Sequence, residues 1–290
     1  MYAADFDYHR ARSLAEAQQL LAAHPGAKLL AGGHSLIPLM KLRLAAPAAV
    51  TDIGRVAELR GIAAAGESLR VGSLTTHAEL AASAALRRAA PALAEAAAVV
   101  GDPAVRNRGT IGGNIAHADP ASDLPTVLVA LGATIVAVGA GGERTIEAGD
   151  FFTGLMATAL APDEILAAII IPAASGGQGS AYVKFAHPAS RYAVIGVAAA
   201  VTVAASKTSA VSVAIGGLVP AARRTRSVEQ ALMGQQPTDG AVAAAANKVL
   251  DDLGDDVSGD IFASADYRRA VAPVYVKRAL SAAVARAGLS

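Results

Sequence analysis

Helical and strand-like spacings of apolar residues alternate through the first part of the chain. The segment Ser13–Glu16 has the form of a capping box and opens a stretch that places Leu14 and Leu21 on one helical face. The short apolar runs at 27–32 (AKLLAG) and 48–54 (AAVTDIG) are typical of buried strands. This order of helix and strands predicts a small α/β unit.

The same alternation continues through the middle of the chain. Residues 68–73 predict a strand, and Thr76–Glu79 is a second candidate capping box. The alanine-rich stretch 78–100 predicts a helix that Pro91 interrupts or restarts. Further along, the pattern predicts a helix at 124–132 and strands at 133–138 and 165–172.

Small residues at 173–180 (AASGGQGS) are typical of a linker. Beyond it, the stretches 193–205 and 209–219 are strand-like, and Ser227 can cap a helix. The remaining C-terminal region is mostly helical by composition, and Pro273 predicts a kink or a helix start there. The linker therefore divides the chain into two regions of mixed structure.

Composition favours a chain with a large core and no membrane span. Hydrophobic residues make up 53% of the 290 residues, and the mean hydropathy is +0.42. The longest apolar run, 193–205, is interrupted by Gly196 and Thr202 and is shorter than the roughly 20 residues that cross a bilayer. The N-terminal segment has early acidic residues and no apolar core, unlike a signal peptide. We expect a cytoplasmic protein, and the apolar content also suits a permanent interface.

Charge and residue usage exclude several kinds of chemistry. A net charge of +1 argues against a dedicated nucleic-acid binder. The absence of cysteine excludes disulfides, thiolate catalysis and cysteine-ligated iron–sulfur clusters in this chain. The six histidines are scattered without the spacing of a metal site, and we identify no catalytic acid–base set. Redox chemistry would therefore depend on a bound organic cofactor.

Two glycine-rich segments stand out as candidates for such a cofactor. "KLLAGGHSLIPLMKLRL" (28–44) and "GTIGGNIAHADPASDLP" (109–125) each place a glycine pair among apolar residues. Backbone N–H groups in glycine turns can form an anion-binding nest, and free N–H groups at a following helix start add to it. Two such turns would suit a dinucleotide with two linked phosphates.

The same residues also have purely structural explanations. A glycine pair is usually an ordinary turn, and Asn114, Asp119 and Asp123 are residue types that favour turns and helix caps. Neither segment is a G-x-G-x-x-G or G-x-x-x-x-G-K-[ST] motif. The residues alone therefore leave phosphate-binding turns and ordinary turns both open.

Together, the two segments resemble the flavin-binding motifs of the FAD-binding subunit of molybdenum hydroxylases, the xanthine dehydrogenase family. The resemblance continues through 150–172 and 182–201, and it is greatest to medium subunits of the aerobic carbon monoxide dehydrogenase type. It implies an α+β fold of the vanillyl-alcohol-oxidase-like (PCMH) type, with two α/β subdomains that bind FAD and a C-terminal α+β domain. The implied boundaries are 1–56, 57–174 and 180–290.

The resemblance also implies the FAD-contacting residues. Its first loop falls on residues 31–36, where backbone N–H groups would hold the pyrophosphate, and the second begins at Thr110. Asp123 matches an acidic FAD contact suited to ribityl or ribose hydroxyls. By the same resemblance, Lys184 and Tyr192 border the flavin ring. Tyr192 would cover one face of the ring; the structural alternative is an ordinary half-buried aromatic residue of a strand. The implied set is Ala31, Gly32, Gly33, His34, Ser35, Leu36, Thr110, Ile111, Gly112, Gly113, Asn114, His117, Asp123, Leu166, Lys184 and Tyr192.

By resemblance, the chain would pass electrons from iron–sulfur clusters through FAD to an external acceptor. Its partners would be an iron–sulfur small subunit and a molybdenum-cofactor large subunit, in a dimer of heterotrimers that reaches a membrane only through the complex. The oxidised compound could be carbon monoxide, a purine, an aldehyde or an N-heterocycle. Two other interpretations are a self-contained flavin oxidase or dehydrogenase and a non-catalytic nucleotide-binding scaffold.

Overall fold

A computed structural model describes residues 2–288, and its first unit is a three-stranded parallel sheet. The strand order is β1-β3-β2, so the strand that leads into the first glycine segment lies at one edge. The polar strand β1 was not predicted, because its side chains are mostly exposed and its sequence DYHR has no apolar run. The elements are β1 Asp7–Arg10, α1 Leu14–Ala23, β2 Lys28–Leu30, α2 Leu36–Lys41 and β3 Ala49–Asp52.

The helix α1 begins where the sequence predicts. The Ser13 hydroxyl accepts a hydrogen bond from the Glu16 N–H, as an N-cap does. The Glu16 carboxylate accepts from the N–H of Arg12 at 2.7 Å. In a complete capping box the N–H of Ser13 would donate to Glu16. Here the donor is the preceding residue, Arg12.

The second unit is an antiparallel sheet of order β4-β5-β10-β6-β7, covered by short helices. Its strands are β4 Ile62–Ala65, β5 Ser68–Gly72, β6 Thr134–Gly139, β7 Gly142–Glu147, β8 Phe152–Gly154, β9 Ala157–Thr158 and β10 Ile165–Pro172, of which β8 and β9 pair separately. Its helices are α3 His77–Ala82, α4 Ala84–Ala89, α5 Pro91–Val99, α6 Pro103–Arg108, α7 Ile111–His117, α8 Asp123–Leu131 and α9 Ala148–Phe151.

The predicted helix at 78–100 is three helices. Thr76 and Glu79 form a complete capping box at the start of α3, as predicted. Ser83 ends α3 and caps α4 through its hydroxyl, and Pro91 occupies the first turn of α5. Serine and proline provide the local starts, while the alanines between them suit any of the three helices.

The third unit is an antiparallel sheet packed against a long C-terminal helix. It begins at Gln178, inside the predicted linker, and α13 runs through Pro273 without ending there. The helix predicted at Ser227 begins at Arg226 with Thr225 as N-cap. The elements are β11 Gln178–Ala186, β12 Ala193–Ala204, β13 Lys207–Gly216, β14 Arg223–Arg224, α10 Arg226–Leu232, α11 Asp239–Asn247, α12 Val249–Asp252 and α13 Ala265–Ala287.

The helix α8 joins the second and third units. Every residue from Asp123 to Ala130 is buried. Its side chains share one core with Tyr182 and Ala198 of the C-terminal sheet and with Phe151 of the second unit. A helix that is apolar on all sides is expected between two layers, and this position holds Asp123 at the edge of the site described next.

Candidate functional site

A cavity of about 640 Å³ lies where the three units meet. Its volume is within the roughly 300–1,000 Å³ typical of small-molecule sites. The chain places all but two of the predicted contact residues on its wall, the exceptions being Ile111 and Lys184. The lining residues among them are Ala31, Gly32, Gly33, His34, Ser35, Leu36, Thr110, Gly112, Gly113, Asn114, His117, Asp123, Leu166 and Tyr192.

The first glycine segment presents a row of unpaired backbone donors. It turns from β2 into α2, and Gly33 has φ +76°, a conformation that favours glycine. Within residues 2–288, no protein acceptor takes the N–H groups of residues 32–36. These donors lie on the cavity wall. Such a row of N–H groups can bind an anion without a basic side chain.

Gly32 allows the two glycine segments to touch. A Cβ at Gly32 would lie 2.2 Å from the carbonyl oxygen of Arg108 and 2.9 Å from the Cα of Gly109. No side chain fits between backbones at that distance. The glycine therefore serves close approach between the first unit and the residues that precede α7.

The second glycine segment is a helix start, and the predicted glycine turn is wrong in this respect. Gly112 and Gly113 lie in the first turn of α7, and neither is among the residues with positive φ. The N–H of Gly112 donates to the Ser73 carbonyl, and the N–H of Gly113 donates to the Thr110 hydroxyl. A Cβ at Gly112 would lie 2.4 Å from the Ser73 Cβ. Gly112 therefore brings the start of α7 against Ser73, the residue after β5, and free N–H groups come from the first segment.

Ile111 is positioned by packing. Its side chain is fully buried in the core, and its N–H donates to the Thr75 carbonyl at 3.0 Å. Neither group is left for a ligand in the cavity. The geometry therefore gives no support to the predicted contact from Ile111.

Lys184 reaches the cavity wall indirectly, through Asp123. Its Nζ donates to the Asp123 carboxylate at 2.9 Å and to the Val99 carbonyl at 3.2 Å. The Tyr182 hydroxyl donates to the other oxygen of Asp123 at 2.5 Å. Burial raises the pKa of Asp123, while Lys184 and Tyr182 oppose that rise. The carboxylate is thus a buried acceptor held from the C-terminal sheet.

The rest of the wall combines a strand irregularity and a short loop. The pairing of β10 with β6 shifts register between Leu166 and Ala168, a bulge of the kind common beside functional sites. The loop 187–192 adds Tyr192, which is 48% exposed. Burial and the charges of Asp119 and Asp123 raise the pKa of Tyr192. A role for Tyr192 over the flavin stays a prediction.

His77 also lies on the cavity wall, although it is not among the predicted site residues. It is the first residue of α3, and its N–H donates to the Gly109 carbonyl at 3.0 Å. A Cβ at Gly109 would lie 2.9 Å from the imidazole. Burial, with smaller effects from His34 and Arg106, lowers the pKa of His77 to about 4. The capping box marked this helix start, but no motif distinguished its first residue.

We expect His77 to make stability depend on pH. The unfolded chain binds a proton near the ordinary pKa of 6.5, whereas the folded chain resists it down to about 4. The free energy of unfolding should therefore fall as pH drops from 6.5 towards 4, by up to roughly 3 kcal/mol. Urea unfolding of the FAD-free chain at pH 7 and 4.5 measures this. The His77→Gln variant should lose most of the difference, and an unchanged difference would contradict the assignment.

The described residues hold neither a metal-ligand cluster nor a membrane-spanning helix. Among residues 2–288, no three His, Cys, Asp or Glu side chains are grouped as metal ligands. No helix in the same part of the chain combines the length and apolar character needed to cross a membrane.

The sequence matches two protein families in succession. Residues 4–174 match the family described as "FAD binding domain in molybdopterin dehydrogenase". Residues 180–283 match the "CO dehydrogenase flavoprotein C-terminal domain".

Full-length relatives have the same organisation. The chain is 41% identical to the carbon monoxide dehydrogenase medium chain of Hydrogenophaga pseudoflava, covering 97% of this chain and 98% of that one. It is 36% identical to the nicotine 6-hydroxylase medium subunit of Paenarthrobacter nicotinovorans, covering 96% and 97%. A solved structure of the Hydrogenophaga carbon monoxide dehydrogenase, lacking the Mo-pyranopterin moiety, superposes with a TM-score of 0.94 over 99% of both chains. These matches confirm the α+β fold with an FAD-binding part and a C-terminal domain.

Proposed function

The chain belongs to the family of FAD-binding medium subunits of molybdenum hydroxylases, and from that membership we propose that it holds FAD in a complex of carbon monoxide dehydrogenase type. In such a complex it is the oxidoreductase subunit that passes electrons from iron–sulfur clusters to an external acceptor. Bound FAD would supply the redox chemistry. The residues of this chain would bind the cofactor and orient it.

The row of free N–H groups at residues 32–36 carries the proposal. Those donors fit a pyrophosphate, which needs several donors at close range. The Asp123 carboxylate on the same wall is an acceptor for hydroxyl groups. An elongated ligand with a diphosphate at one end and hydroxyls beyond it suits this arrangement.

The partners we propose are an iron–sulfur small subunit and a molybdenum-cofactor large subunit, assembled as a dimer of heterotrimers. The lack of cysteine supports this division, because clusters held by cysteine must then lie on another chain. The oxidised compound binds on the large subunit. Relatives named for carbon monoxide and for nicotine match at 41% and 36% identity, so a purine, an aldehyde or an N-heterocycle is the alternative to carbon monoxide. The cytoplasmic location stays a prediction.

The cofactor released by heat from the purified protein tests the proposal. We expect one FAD per chain, because a row of five N–H donors fits two linked phosphates better than one. Mass spectrometry separates FAD from FMN. FMN alone would contradict the diphosphate assignment, and a protein without any flavin would favour the non-catalytic scaffold.

A further inference from the structure

Tyr182 and Lys184 lie on one face of β11, two residues apart, and both reach the same carboxylate. The strand belongs to the C-terminal unit, whereas Asp123 begins α8 of the second unit. The Lys184 and Asp123 side chains are 6% and 5% exposed. The cavity wall at Asp123 is therefore completed from outside the FAD-binding part.

We propose that Tyr182 and Lys184 are positioning residues of the cofactor site, which keep the Asp123 carboxylate ionised and fixed as an acceptor for cofactor hydroxyls. The proposal rests on the proposed function, since it requires FAD in the cavity. It gives the C-terminal unit a direct part in cofactor binding.

Charge supports this role for Lys184. A buried carboxylate without a cation favours its protonated form, because burial penalises the charge. Lys184 supplies that cation at 2.9 Å. A protonated Asp123 would carry a donor where hydroxyls need an acceptor.

The packing around Tyr182 supports its role as a donor. A Cβ at Gly196 on the neighbouring strand β12 would lie 2.5 Å from the Tyr182 hydroxyl. The glycine therefore leaves the space that the phenol occupies. Burial, with the charge of Asp123, raises the pKa of Tyr182 well above its usual value, so the hydroxyl keeps its proton.

Further bonds fix the strand that carries both residues. The Tyr182 N–H donates to the Glu95 carboxylate of α5, which also pairs with Arg286 of α13. Lys184 donates in addition to the Val99 carbonyl at the end of α5. The two side chains thus have little freedom to leave Asp123.

Other titratable groups near the carboxylate do not substitute for Lys184. Tyr192 on the loop 187–192 and Asp119 before α8 interact with each other, and the charges of Asp119 and Asp123 raise the pKa of Tyr192. Glu95 binds the backbone of Tyr182 from α5. None of these three groups is a cation.

The test is titration of the full chain with FAD at pH 6, 7 and 8. The quenching of flavin fluorescence reports the binding. We expect Lys184→Met to weaken FAD affinity about tenfold or more, with a larger loss at pH 6 than at pH 8, because Asp123 then protonates more readily. Tyr182→Phe should weaken it about tenfold with the same trend. Lys207→Met and Tyr267→Phe repeat the substitutions at exposed positions of the same unit and should bind as wild type does.

A double variant separates positioning from loss of folding. Asp123→Asn/Lys184→Met removes the charge and its partner together, so no unpaired buried charge remains. It should bind FAD weakly with no dependence on pH. Wild-type affinity of Lys184→Met and Tyr182→Phe at all three pH values would overturn the proposal, as would a retained pH dependence in the double variant. If wild type itself bound no FAD, the proposed function would fail instead.

Discussion

Replacing Gly33 by valine is expected to weaken FAD binding about a hundredfold or more. Gly33 holds φ +76°, which strains a branched residue by about 1–3 kcal/mol. A Cβ there would also lie 2.7 Å from the Ile37 Cδ1. Relief of that strain would turn the N–H groups of residues 32–36 away from the cavity. Each ~1.4 kcal/mol lost is a factor of ten in affinity, and FAD titration of the flavin-free chain measures it.

Gly26 provides a matched control. It has φ +83° in the same unit, but a Cβ there would meet nothing within 4 Å. Gly26→Val should therefore carry the backbone strain and still bind FAD.

Gly112→Val, which would press on Ser73, should lose FAD and also unfold at a lower temperature. Full flavin occupancy in both Gly33→Val and Gly112→Val would reduce these segments to ordinary structural elements.

The isolated chain should not oxidise any substrate of the complex. It has no cysteine, and residues 2–288 contain no group of side chains suited to a metal. Because the chain belongs to the FAD-binding medium subunits of molybdenum hydroxylases, we expect the first chemical step on another subunit. Anaerobic mixing of the FAD-loaded chain with carbon monoxide, a purine, an aldehyde or nicotine should leave the flavin absorbance unchanged. The reconstituted complex should bleach with its own substrate, faster by several orders of magnitude.

A chemical reductant provides the control for that experiment. Dithionite should bleach the isolated chain, which shows that its flavin is reducible. Reduction of the lone chain by one of the substrates, at the rate of the complex, would remove the electron-relay function. The self-contained flavin oxidase or dehydrogenase would then take its place.

Local signals predicted the helix starts well and the strand partners poorly. The caps at Ser13 and Thr76 were readable because each hydroxyl and the backbone N–H that donates to it lie three residues apart. The polar strand β1 was missed because its pairing with β3, more than 40 residues away, stabilises it. The stretch 78–100 has the same composition throughout, so its division into three helices depended on Ser83 and Pro91.

In the candidate site, too, contacts with distant residues were not predictable from local sequence. The glycine pairs marked the two segments, but neither the residues nor the resemblance distinguished free N–H groups from paired ones. That distinction depends on Ser73 and Thr75, which lie outside both segments and accept from α7. His77 and Tyr182 were likewise invisible, because each acquires its place from a partner more than 30 residues away.

The burial of α8 has a consequence for how a cofactor enters and leaves. The helix contributes to one core with side chains of both the second and the third unit. A hinge movement that separated these units would expose apolar surface on two faces at once, which is costly in water. Exchange of the cofactor should therefore proceed without separating these two units. We expect the cofactor to pass beside the loop 187–192, where Tyr192 of the cavity wall is half exposed.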